Sequence, residues 1–486
     1  MHRRGPLLAL VLALMLLLPG QAPWASQPWV VGTDPTYAPF EMVDEGSQEL
    51  IGFDVELMRA IARSQGRSVR FVPMSFDGLI PALQARRVDM AISAMTITAK
   101  RAETVRFSRP YFAAGLGVVV GRDAPPITSL AALAGRRVAV QIGSTGALAV
   151  AQVKGARVST FDSAPLALQE LINGNVDAYV NDLPATLYAI RQNNLNSVRI
   201  SSQPLTRDFY GIALPQGSPL VPEVNRGLNA VLNDGQYAAL HQRWFGRPPT
   251  PLPAVAPALA QRVQASGLDG GLLLRNLLGG AAVTLALTFT SFAGGSLVAG
   301  LVTLALMAGA PWLRRLARAY VTVLRGTPLL VQLFLVYFGL PALSQRLGLP
   351  LKLTPFPAAV AALTFNLAAY LAEILRAGIS SIDRGQWQAA DALGLHRLQR
   401  LRYVILPQAL QRMLPPLANA FITLIKDTSL AAVIGFDELF RQGQLLVATS
   451  YRAFEVYAAV GLVYLLLTAV ASRFFQRLER RLTPAS

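Results

Sequence analysis

The sequence predicts a soluble α/β half with two lobes, followed by an all-α membrane half with five transmembrane helices. Short apolar runs alternate with helix-like segments over 28–247, and long uncharged stretches dominate from residue 271 onward. Apolar residues make up 53% of the 486-residue chain and charged residues 15%, whereas an ordinary soluble protein carries about 25% charged residues. Part of the chain is therefore expected to lie in lipid.

Residues 1–26 are predicted to be a signal peptide or an N-terminal anchor. A basic start, His2-Arg3-Arg4, precedes an apolar run over 7–18 that Pro19-Gly20 ends. This run is shorter than the roughly 20 residues that a membrane-spanning helix needs. In either form, the segment predicts export of the soluble half.

The soluble half, 27–247, has the pattern of an α/β fold. Strand-like runs lie at 29–31, 69–72, 90–92 and 138–140, and helix-like segments such as 53–63 and 78–86 lie between them. This alternation predicts largely parallel sheets. A proline-dense linker, 248–270, comes next and marks a domain boundary.

The membrane half, 271–486, contains five candidate spans. No charged residue interrupts 276–313, 326–345, 353–372 or 456–472, and Lys426-Asp427 alone interrupts 413–436. At about 1.5 Å per residue, each stretch is long enough to cross the hydrocarbon core or nearly so.

The distribution of basic residues predicts the orientation. If the soluble half is outside, the inner segments 311–319, 376–412 and 472–486 hold 3 + 6 + 4 = 13 basic residues, and the outer loops 341–355 and 436–454 hold 2 + 2 = 4. This bias agrees with the positive-inside rule and with the export signal. The sequence therefore predicts a multi-pass membrane protein with its soluble half outside the cytoplasm.

Composition excludes several kinds of chemistry. Cysteine is absent, so disulfides, thiolate metal sites and a lipidated cysteine are impossible, and three histidines far apart in the sequence argue against a histidine-rich metal site. None of the four lysines follows a glycine, which excludes a phosphate-binding G-x-x-x-x-G-K-[ST] loop. Neither a cofactor nor a metal is expected. Because topology accounts for part of the net charge of +17, nucleic-acid binding is not predicted.

The soluble half contains an ordered set of segments: VGTDPTYAPF at 31–40, GFDVEL at 52–57, FDGLIPAL at 76–83, DMAISAMTIT at 89–98 with Arg101, VQIGST at 140–145 and DAYVND at 177–182. Together they resemble the extracellular solute-binding proteins of family 3, which serve polar amino-acid importers. The resemblance implies a two-lobed periplasmic-binding-protein-like domain that closes around its ligand.

A free amino acid offers a carboxylate and an ammonium group, and both need partners when they are buried. Arginine donates two parallel bonds to a carboxylate, which makes Arg101 the candidate for this group, and Asp182 is the candidate for the ammonium group. The resemblance assigns such roles to matching positions. The full predicted set is Asp34, Tyr37, Phe76, Ser93, Ala94, Thr96, Arg101, Gln141, Thr145 and Asp182.

Structural roles are alternatives for several of these residues. Asp182 is also suited to cap the following helix, Tyr37 and Phe76 are also suited to a core, and Arg101 to a solvated surface. An acid at position 34 disfavours glutamate or aspartate as the ligand, which leaves glutamine, asparagine, arginine, lysine and histidine open.

Two segments of the membrane half are distinctive, RGTPLLVQLFLVYFGLP at 325–341 and the 384–407 segment. With them, the membrane half resembles the permease subunits of polar amino-acid ABC importers over roughly 272–480. The resemblance implies a bacterial inner membrane protein in which 384–407 is the cytoplasmic loop that docks on a separate ATPase, with Gln388, Ala389, Ala390, Gly394 and Pro407 as its marker positions. The usual glutamate is Gln388 here, which removes a potential salt bridge. A short helix is expected to end near Gly394 and a basic helix to run to Pro407; a loop resting on anionic lipid is the alternative.

Lys426-Asp427 is an intramembrane charged pair and therefore a candidate functional position, either on the substrate path or near an interface.

Together these features predict a receptor–permease fusion that captures a free amino acid and works with a separate ATPase in membrane lipid. The chain is expected to pair as a homodimer, or with a second permease. An amino-acid-gated ion channel, an enzyme built on the same soluble fold and a sensor are the alternatives; Arg101 with Asp182 lacks a general base, and no output domain is present.

Overall fold

The computed structural model describes residues 27–257, 269–348 and 351–482, which form two compact units. The first unit comprises 27–74, 82–113 and 209–257, and the second comprises 75–81, 114–208 and the described residues from 269 onward. The predicted signal peptide or anchor at 1–26 lies outside the described residues, as does the 258–268 part of the predicted linker.

A five-stranded sheet forms the centre of the first unit. Its strand order is Val69–Pro73, Trp29–Thr33, Met90–Ala91, Ala213–Pro215 and Val105–Phe107. The first three strands are parallel, as the sequence predicted, and Ala213–Pro215 is antiparallel to both of its neighbours. A two- or three-residue strand is too short to show a periodic pattern, which explains why the sequence did not reveal the antiparallel part.

Smaller elements complete the first unit. A three-stranded sheet joins Thr36–Tyr37, Glu41–Val43 and Leu50–Ile51. The helices are Phe53–Ser64, Ala99–Ala102, Val221–Asn233 and Gln236–Phe245. The helix Phe76–Gln84 begins among residues of the second unit and ends among those of the first.

Aromatic rings fill the core of the first unit. Phe40 and Phe112 meet edge to face with ring centroids 5.0 Å apart, and Phe245 lies 4.9 Å from Phe112. His241 stacks on Phe112 at 5.5 Å, and its Nδ1 lies 2.7 Å from the Arg247 carbonyl oxygen. Burial lowers the pKa of His241, whose ring is part of this aromatic core.

The second unit begins with an α/β lobe. Its sheet order is Arg157–Phe161, Arg137–Gln141, Ala178–Asp182, Leu116–Gly121 and Val198–Ile200, and the first three strands are parallel. Because parallel strands end at one edge, Gln141, Phe161 and Asp182 lie along the same edge of the sheet. The helices of this lobe are Thr145–Ala151, Ala164–Ile172 and Leu183–Gln192, with a 3₁₀ turn at Ala131–Leu133.

A two-stranded sheet pairs Phe112–Ala114 with Asp208–Tyr210, the segments at which the chain passes from one unit to the other.

The rest of the second unit is helical. Its helices are Gly270–Ala308, Pro311–Gly326, Leu329–Phe334, Leu340–Arg346, Pro355–Ser380, Arg384–Ala392, Arg397–Arg400, Leu406–Asp427, Leu439–Ser450 and Ala453–Leu482, with π turns at Leu335–Gly339 and Leu401–Ile405 and a 3₁₀ turn at Thr428–Ile434. Within the described residues, four helical segments are long and apolar enough to cross a membrane: Gly270–Met307, Pro355–Ser380, Arg397–Ile434 and Ala453–Arg481.

The predicted second span differs from a simple straight helix. Pro311–Gly326 and Leu329–Ser344 are bent by 107° at the break around Thr327-Pro328, and the total is five spans if this pair is counted as one. Pro328 lacks an N–H group and restricts the residue before it, which favours a helix end at this point.

The basic helix does not end at Pro407, as the sequence had predicted, but continues to Ile434. The π turn Leu401–Ile405 ends two residues before this proline. A proline removes one helical hydrogen bond and crowds the carbonyl of the preceding turn, and a wider π turn accommodates both effects.

Small residues bring the helices Gly270–Ala308 and Pro355–Ser380 close together. A methyl group added at Gly294 would lie 3.1 Å from Thr364 Oγ1, and one added at Gly295 would lie 3.0 Å from Leu367 Cδ2. Helix association in lipid depends on such close packing. Large apolar side chains such as Leu297, Leu301 and Leu465 are exposed on the outside of the bundle, as expected for a lipid-facing surface.

The lobe of the second unit packs on the ends of the membrane helices. Tyr337 donates a 2.5 Å hydrogen bond to Glu170 Oε2, and a methyl group added at Gly435 would lie 2.9 Å from Phe161 Cε1. Residues 337 and 435 border the two loops that charge counting placed outside, 341–355 and 436–454. The packing therefore agrees with the predicted orientation.

Candidate functional site

Arg101 is buried in the first unit. The helix Ala99–Ala102 begins at Thr98, whose hydroxyl accepts a hydrogen bond from Arg101 N, and the guanidinium donates a 2.7 Å bond to the Thr96 carbonyl oxygen. Only 1% of Arg101 is exposed, which rules out the solvated surface arginine that the sequence left open. A buried guanidinium with one arm fixed on the backbone is well held for recognising a carboxylate.

Asp34 and Ser93 belong to one polar network in the same unit. Ser93 Oγ donates a 2.7 Å hydrogen bond to Glu41 Oε1 and accepts a 3.1 Å bond from Asp34 N. Thr36 Oγ1 donates to Asp34 Oδ1 at 2.7 Å. Ser93 therefore holds the loop that carries Asp34 in place.

Ala94 is linked to a second buried acid. Its N–H donates a 2.7 Å hydrogen bond to Asp54 Oδ2, and its φ of +44° lies in the left-handed region. Tyr111 OH donates to the same oxygen at 2.6 Å. Because the Ala94 N–H already has this partner, a bond from it to a ligand would have to be shared with Asp54.

Glu41 and Asp54 form a buried acid pair that the sequence analysis did not single out. Burial is the main cause that raises the pKa of Glu41, and the nearby Asp54 raises it further; burial also raises the pKa of Asp54 to about 6. In the sequence, the only local signals for this pair are a glutamate that follows Pro39-Phe40 and an aspartate that follows Gly52-Phe53. Their burial depends on the aromatic core around them, which no local pattern reveals.

Gln141, Thr145 and Asp182 lie in the lobe of the second unit. Gln141 and Asp182 end parallel strands at one edge of the sheet, and Thr145 begins the helix Thr145–Ala151. Asp182 is the N-terminal flanking residue of the helix Leu183–Gln192, but its side chain makes no capping bond. The capping role that the sequence left open is therefore not realised.

The two predicted aromatic residues belong to different units. Tyr37 is buried in the first unit, with its ring centroid 6.1 Å from that of Phe40. Phe76 is half-buried and begins the helix Phe76–Gln84 on the segment assigned to the second unit. Thr96 is buried in the first unit and bridges to Tyr210.

The described residues contain no group of three or more histidine and acidic side chains arranged to hold a metal ion.

The coupling segment, 384–407, folds as two short helices and a π turn. Gly394 follows the helix Arg384–Ala392 with a φ of +73°, as predicted for a helix end. Arg400 pairs with Asp391 and lies 5.2 Å above the Trp387 ring, which holds the two helices together. Ala390 is buried beneath them, whereas Gln388, Ala389 and Pro407 are exposed. The segment is therefore a folded, outward-facing element.

A cavity of about 660 Å³ lies within the membrane half. Its polar lining residues include Arg325, Asn366, Thr423 and Asp427. Arg325 also lies 5.3 Å from the centre of the Tyr370 ring. Of the charged pair singled out in the sequence, Asp427 lines this cavity and Lys426 is exposed on the helix.

Comparison with known proteins identifies both halves. Residues 29–247 match the bacterial extracellular solute-binding proteins of family 3, and residues 301–484 match the inner membrane component of binding-protein-dependent transport systems. The glutamine transport system permease protein GlnP of Escherichia coli (strain K12) is 45% identical over 206 residues, which are 42% of this chain and 92% of that protein. The chain belongs to the amino-acid ABC importers. It is a solute-binding domain fused to a permease domain.

A second permease relative agrees with this assignment. The L-cystine transport system permease protein TcyL of Bacillus subtilis (strain 168) is 42% identical over 173 residues, or 35% of this chain and 72% of that protein. Among solved structures, an ancestral arginine-binding protein bound to arginine is 41% identical with a TM-score of 0.44, and the match covers 46% of this chain and 100% of that one.

As an amino-acid ABC importer, the chain is a multi-pass inner membrane protein with its binding domain on the outer side. Both matched families are transport components and not enzymes, and they give the ion-channel alternative no support.

Proposed function

We propose that this importer subunit captures a polar amino acid with a neutral or cationic side chain and passes it through its own membrane half. The observation that carries the proposal is Arg101, a fully buried arginine whose guanidinium is fixed by the Thr96 carbonyl. In a protein that transports amino acids, a carboxylate is the group that such an arginine recognises best. Thr96, Ser93 and Ala94 are its supporting residues.

The remaining predicted residues complete the recognition of the amino acid. Asp182, at the end of its strand, is the proposed partner of the ligand ammonium group. Tyr37 and Phe76 supply apolar and cation–π contact to the ligand side chain. Thr145 and Gln141, at the strand ends of the second unit, are the proposed polar contacts to the rest of the ligand.

The charges of the first unit favour a ligand that is not acidic. Asp34 is an acid in the predicted site. Like charges repel strongly where water is excluded, so a glutamate or aspartate side chain is disfavoured. The relative named for glutamine transport supports an amide side chain, and the chemistry suits arginine, lysine and histidine equally well.

Energy for transport is proposed to come from a separate ATPase bound at the coupling segment. The chain lacks a phosphate-binding lysine loop, and the coupling segment presents exposed apolar side chains, with Leu393 77% exposed. Leu398 and Tyr403 of the same segment are 69% and 65% exposed, and exposed apolar residues that cluster in this way are typical of an interaction site. Because five spans are few for a complete path, we propose a homodimer, or a pair with a second permease, embedded in lipid.

The cavity in the membrane half is the proposed passage for the substrate. Arg325 and Asp427 give it one charge of each sign, as a zwitterionic amino acid requires. Intramembrane charges are retained chiefly for such functions.

A ligand screen tests the receptor role. The full chain in nanodiscs is screened by thermal shift against the twenty amino acids. A ligand at 100 times its Kd is expected to raise the free energy of unfolding of the binding domain by about 2.7 kcal/mol. Tight binding of glutamate with none of glutamine or arginine would contradict the specificity that we propose.

Arg101→Lys keeps the charge and removes the planar fork. We expect at least a 100-fold weaker Kd for the best ligand, measured by calorimetry. Arg106→Lys is the matched control, because Arg106 is an exposed arginine on a strand of the same unit. If the Arg101→Lys variant bound the ligand with the affinity of the wild type, Arg101 would not be a ligand-binding residue.

The channel alternative has a direct test. Proteoliposomes that contain the full chain alone are expected to accumulate no amino acid until an ATPase and ATP are present. Ligand-dependent ion conductance by the chain alone would favour the channel instead.

A further inference from the structure

Arg441 is the most deeply buried arginine of the membrane half. It lies in the first turn of the helix Leu439–Ser450, where Glu438 accepts the bonds of Arg441 N at 2.7 Å and Phe440 N at 2.9 Å. The sequence places this helix in an outer loop, yet the exposure of Arg441 is 0%. A charge that is removed from water in this way needs partners.

Most hydrogen-bond partners of the Arg441 side chain belong to the α/β lobe of the second unit. Arg441 donates to Asp162 Oδ1 at 2.6 Å and to Thr160 Oγ1 at 2.8 Å, and it also contacts the Thr160 carbonyl oxygen. Gln444 Oε1, at 3.0 Å, is the only partner among these from the same helix. The Arg441 side chain thus joins an outer helix of the membrane half to the lobe.

The contact lies beside two proposed ligand residues. Gln141 is paired with Phe161 in the sheet, and Gln141 Nε2 lies 3.5 Å from the Asp162 carbonyl oxygen. The next residues of the same loop also meet the helix: a methyl group added at Gly143 would lie 3.7 Å from Ala448 Cβ. The 141–145 loop, which carries Gln141 and Thr145, is therefore packed against the permease.

We define the strand-end surface as Thr160, Asp162 and Gly143, and we propose that it is the docking surface for the helix Leu439–Ser450, with Arg441 as the positioning residue. Arg441 acts through Asp162 on Gln141, so that docking of the lobe and ligand affinity depend on each other. The effect on affinity rests on the proposed function of Gln141, whereas docking itself does not.

Docking is measured with a pair of spin labels. The chain has no cysteine, so Lys154→Cys on the lobe and Arg452→Cys on the outer loop provide specific labels at two exposed positions. Pulsed electron paramagnetic resonance on the full chain in nanodiscs, with the labelled chain diluted in an excess of unlabelled chain, is expected to give one narrow distance within the chain. In the Arg441→Met background the distribution is expected to broaden, and Arg346→Ala, an exposed outer arginine, is the control that leaves it narrow.

Ligand affinity is measured in the same preparations with L-glutamine and L-arginine as probes. Arg441→Met and Asp162→Asn are each expected to change Kd at least threefold, and the double variant no more than the larger single change, because both act through one contact. A role in stability alone would not give this non-additive pattern in Kd.

The outcomes separate the two proposals. A narrow distance in Arg441→Met overturns docking through Arg441. Broadening with an unchanged Kd supports docking and overturns the link to Gln141. If neither probe binds the wild type, the proposed specificity fails while the distance measurement still decides docking. If Arg441→Met fails to fold, the label distance and the Kd are measured in Asp162→Asn, which keeps the shape of the side chain and removes its charge.

Discussion

Glu41 and Asp54 place two carboxyl groups in the interior of the first unit, next to the loop that carries Ser93 and Ala94. Burial disfavours the ionised form of both acids and raises their pKa values. Raised pKa values favour the neutral forms, which is how two acids can share one buried site.

Replacement of Glu41 tests this arrangement. Glu41→Gln keeps an acceptor for Ser93 and a donor for Asp54, so we expect a loss of less than about 1 kcal/mol in local stability. Glu41→Ala leaves a cavity and an unsatisfied Ser93, and a loss of about 2–4 kcal/mol is expected. Hydrogen–deuterium exchange over residues 41–62 measures both, and equal protection in the two variants would contradict the hydrogen-bonded pair.

The pH dependence follows from the raised pKa values. A carboxyl with a raised pKa in the folded state contributes its stability fully below its unfolded pKa and loses it as pH rises through the folded value. The amides of the first unit are therefore expected to have higher protection factors, which compare each amide with the unfolded chain at the same pH, at pH 5 than at pH 7. In Glu41→Gln this difference is expected to shrink.

At the scale of elements, the broken second span is held by side chains. Gln332 Nε2 donates to the Leu324 carbonyl at 2.8 Å and to Thr327 Oγ1 at 2.8 Å, and its Oε1 accepts from Asn366 Nδ2 at 2.9 Å. These bonds satisfy polar groups that the 107° bend leaves without helical partners. The bend stands beside the proposed passage, which Asn366 also lines.

Gln332→Leu removes these bonds at nearly constant volume. We expect a loss of about 2–4 kcal/mol in stability and at least tenfold slower uptake, with the ligand Kd unchanged. Gln476→Leu, at an exposed position of the last long helix, is the control. If uptake by Gln332→Leu equalled that of the control, the bend would not need this side chain.

The coupling segment presents Leu393 and Leu398 to solvent on either side of Gly394. Leu393→Asp and Leu398→Asp are expected to reduce ATP-driven uptake at least tenfold, because a desolvated charge weakens an apolar contact. Ligand binding to the outer domain is expected to be unchanged.

Leu347→Asp supplies the matched control for the coupling segment, since Leu347 is similarly exposed but lies in the outer loop 341–355. If all three aspartate variants slowed uptake alike, the effect would be a general one and not specific to the docking of an ATPase.

At the scale of the whole molecule, the contact of the lobe with the membrane half contains a titrating group. Glu170 accepts a 2.5 Å hydrogen bond from Tyr337 OH, and Asn175 Nδ2 lies 3.4 Å from its other oxygen. Burial raises the pKa of Glu170 to about 7, and the two hydrogen bonds oppose this rise. Lys352 Nζ approaches the same region near Gly174.

The sign of the pH effect is set by the raised pKa. The packed state holds the proton of Glu170 more tightly than a solvated carboxyl with a pKa near 4.3 does. Docking is therefore expected to be strongest below about pH 4.5 and to weaken as pH rises to about 7, by at most about 3 kcal/mol. The spin-label distance at pH 5.5 and pH 8 measures this change. Glu170→Gln is expected to abolish the difference, and a variant that kept it would assign the effect to another group.

The sequence by itself determined the two halves, the parallel strands, the orientation and the segments that identify the family. Each of these depends on local periodicity, charge counts or ordered motifs, which are readable from neighbouring residues. It also selected Arg101, whose burial the structure then showed.

Only the tertiary structure decided what depends on residues far apart in the chain. The Glu41–Asp54 pair, the 107° bend, the continuation of the helix through Pro407 and the Arg441–Asp162 contact all join or reshape segments by packing. Arg441 and Asp162 are 279 residues apart, and nothing in either segment indicates the other. Local patterns set which element forms, whereas the burial of charge is set by whichever element packs against it.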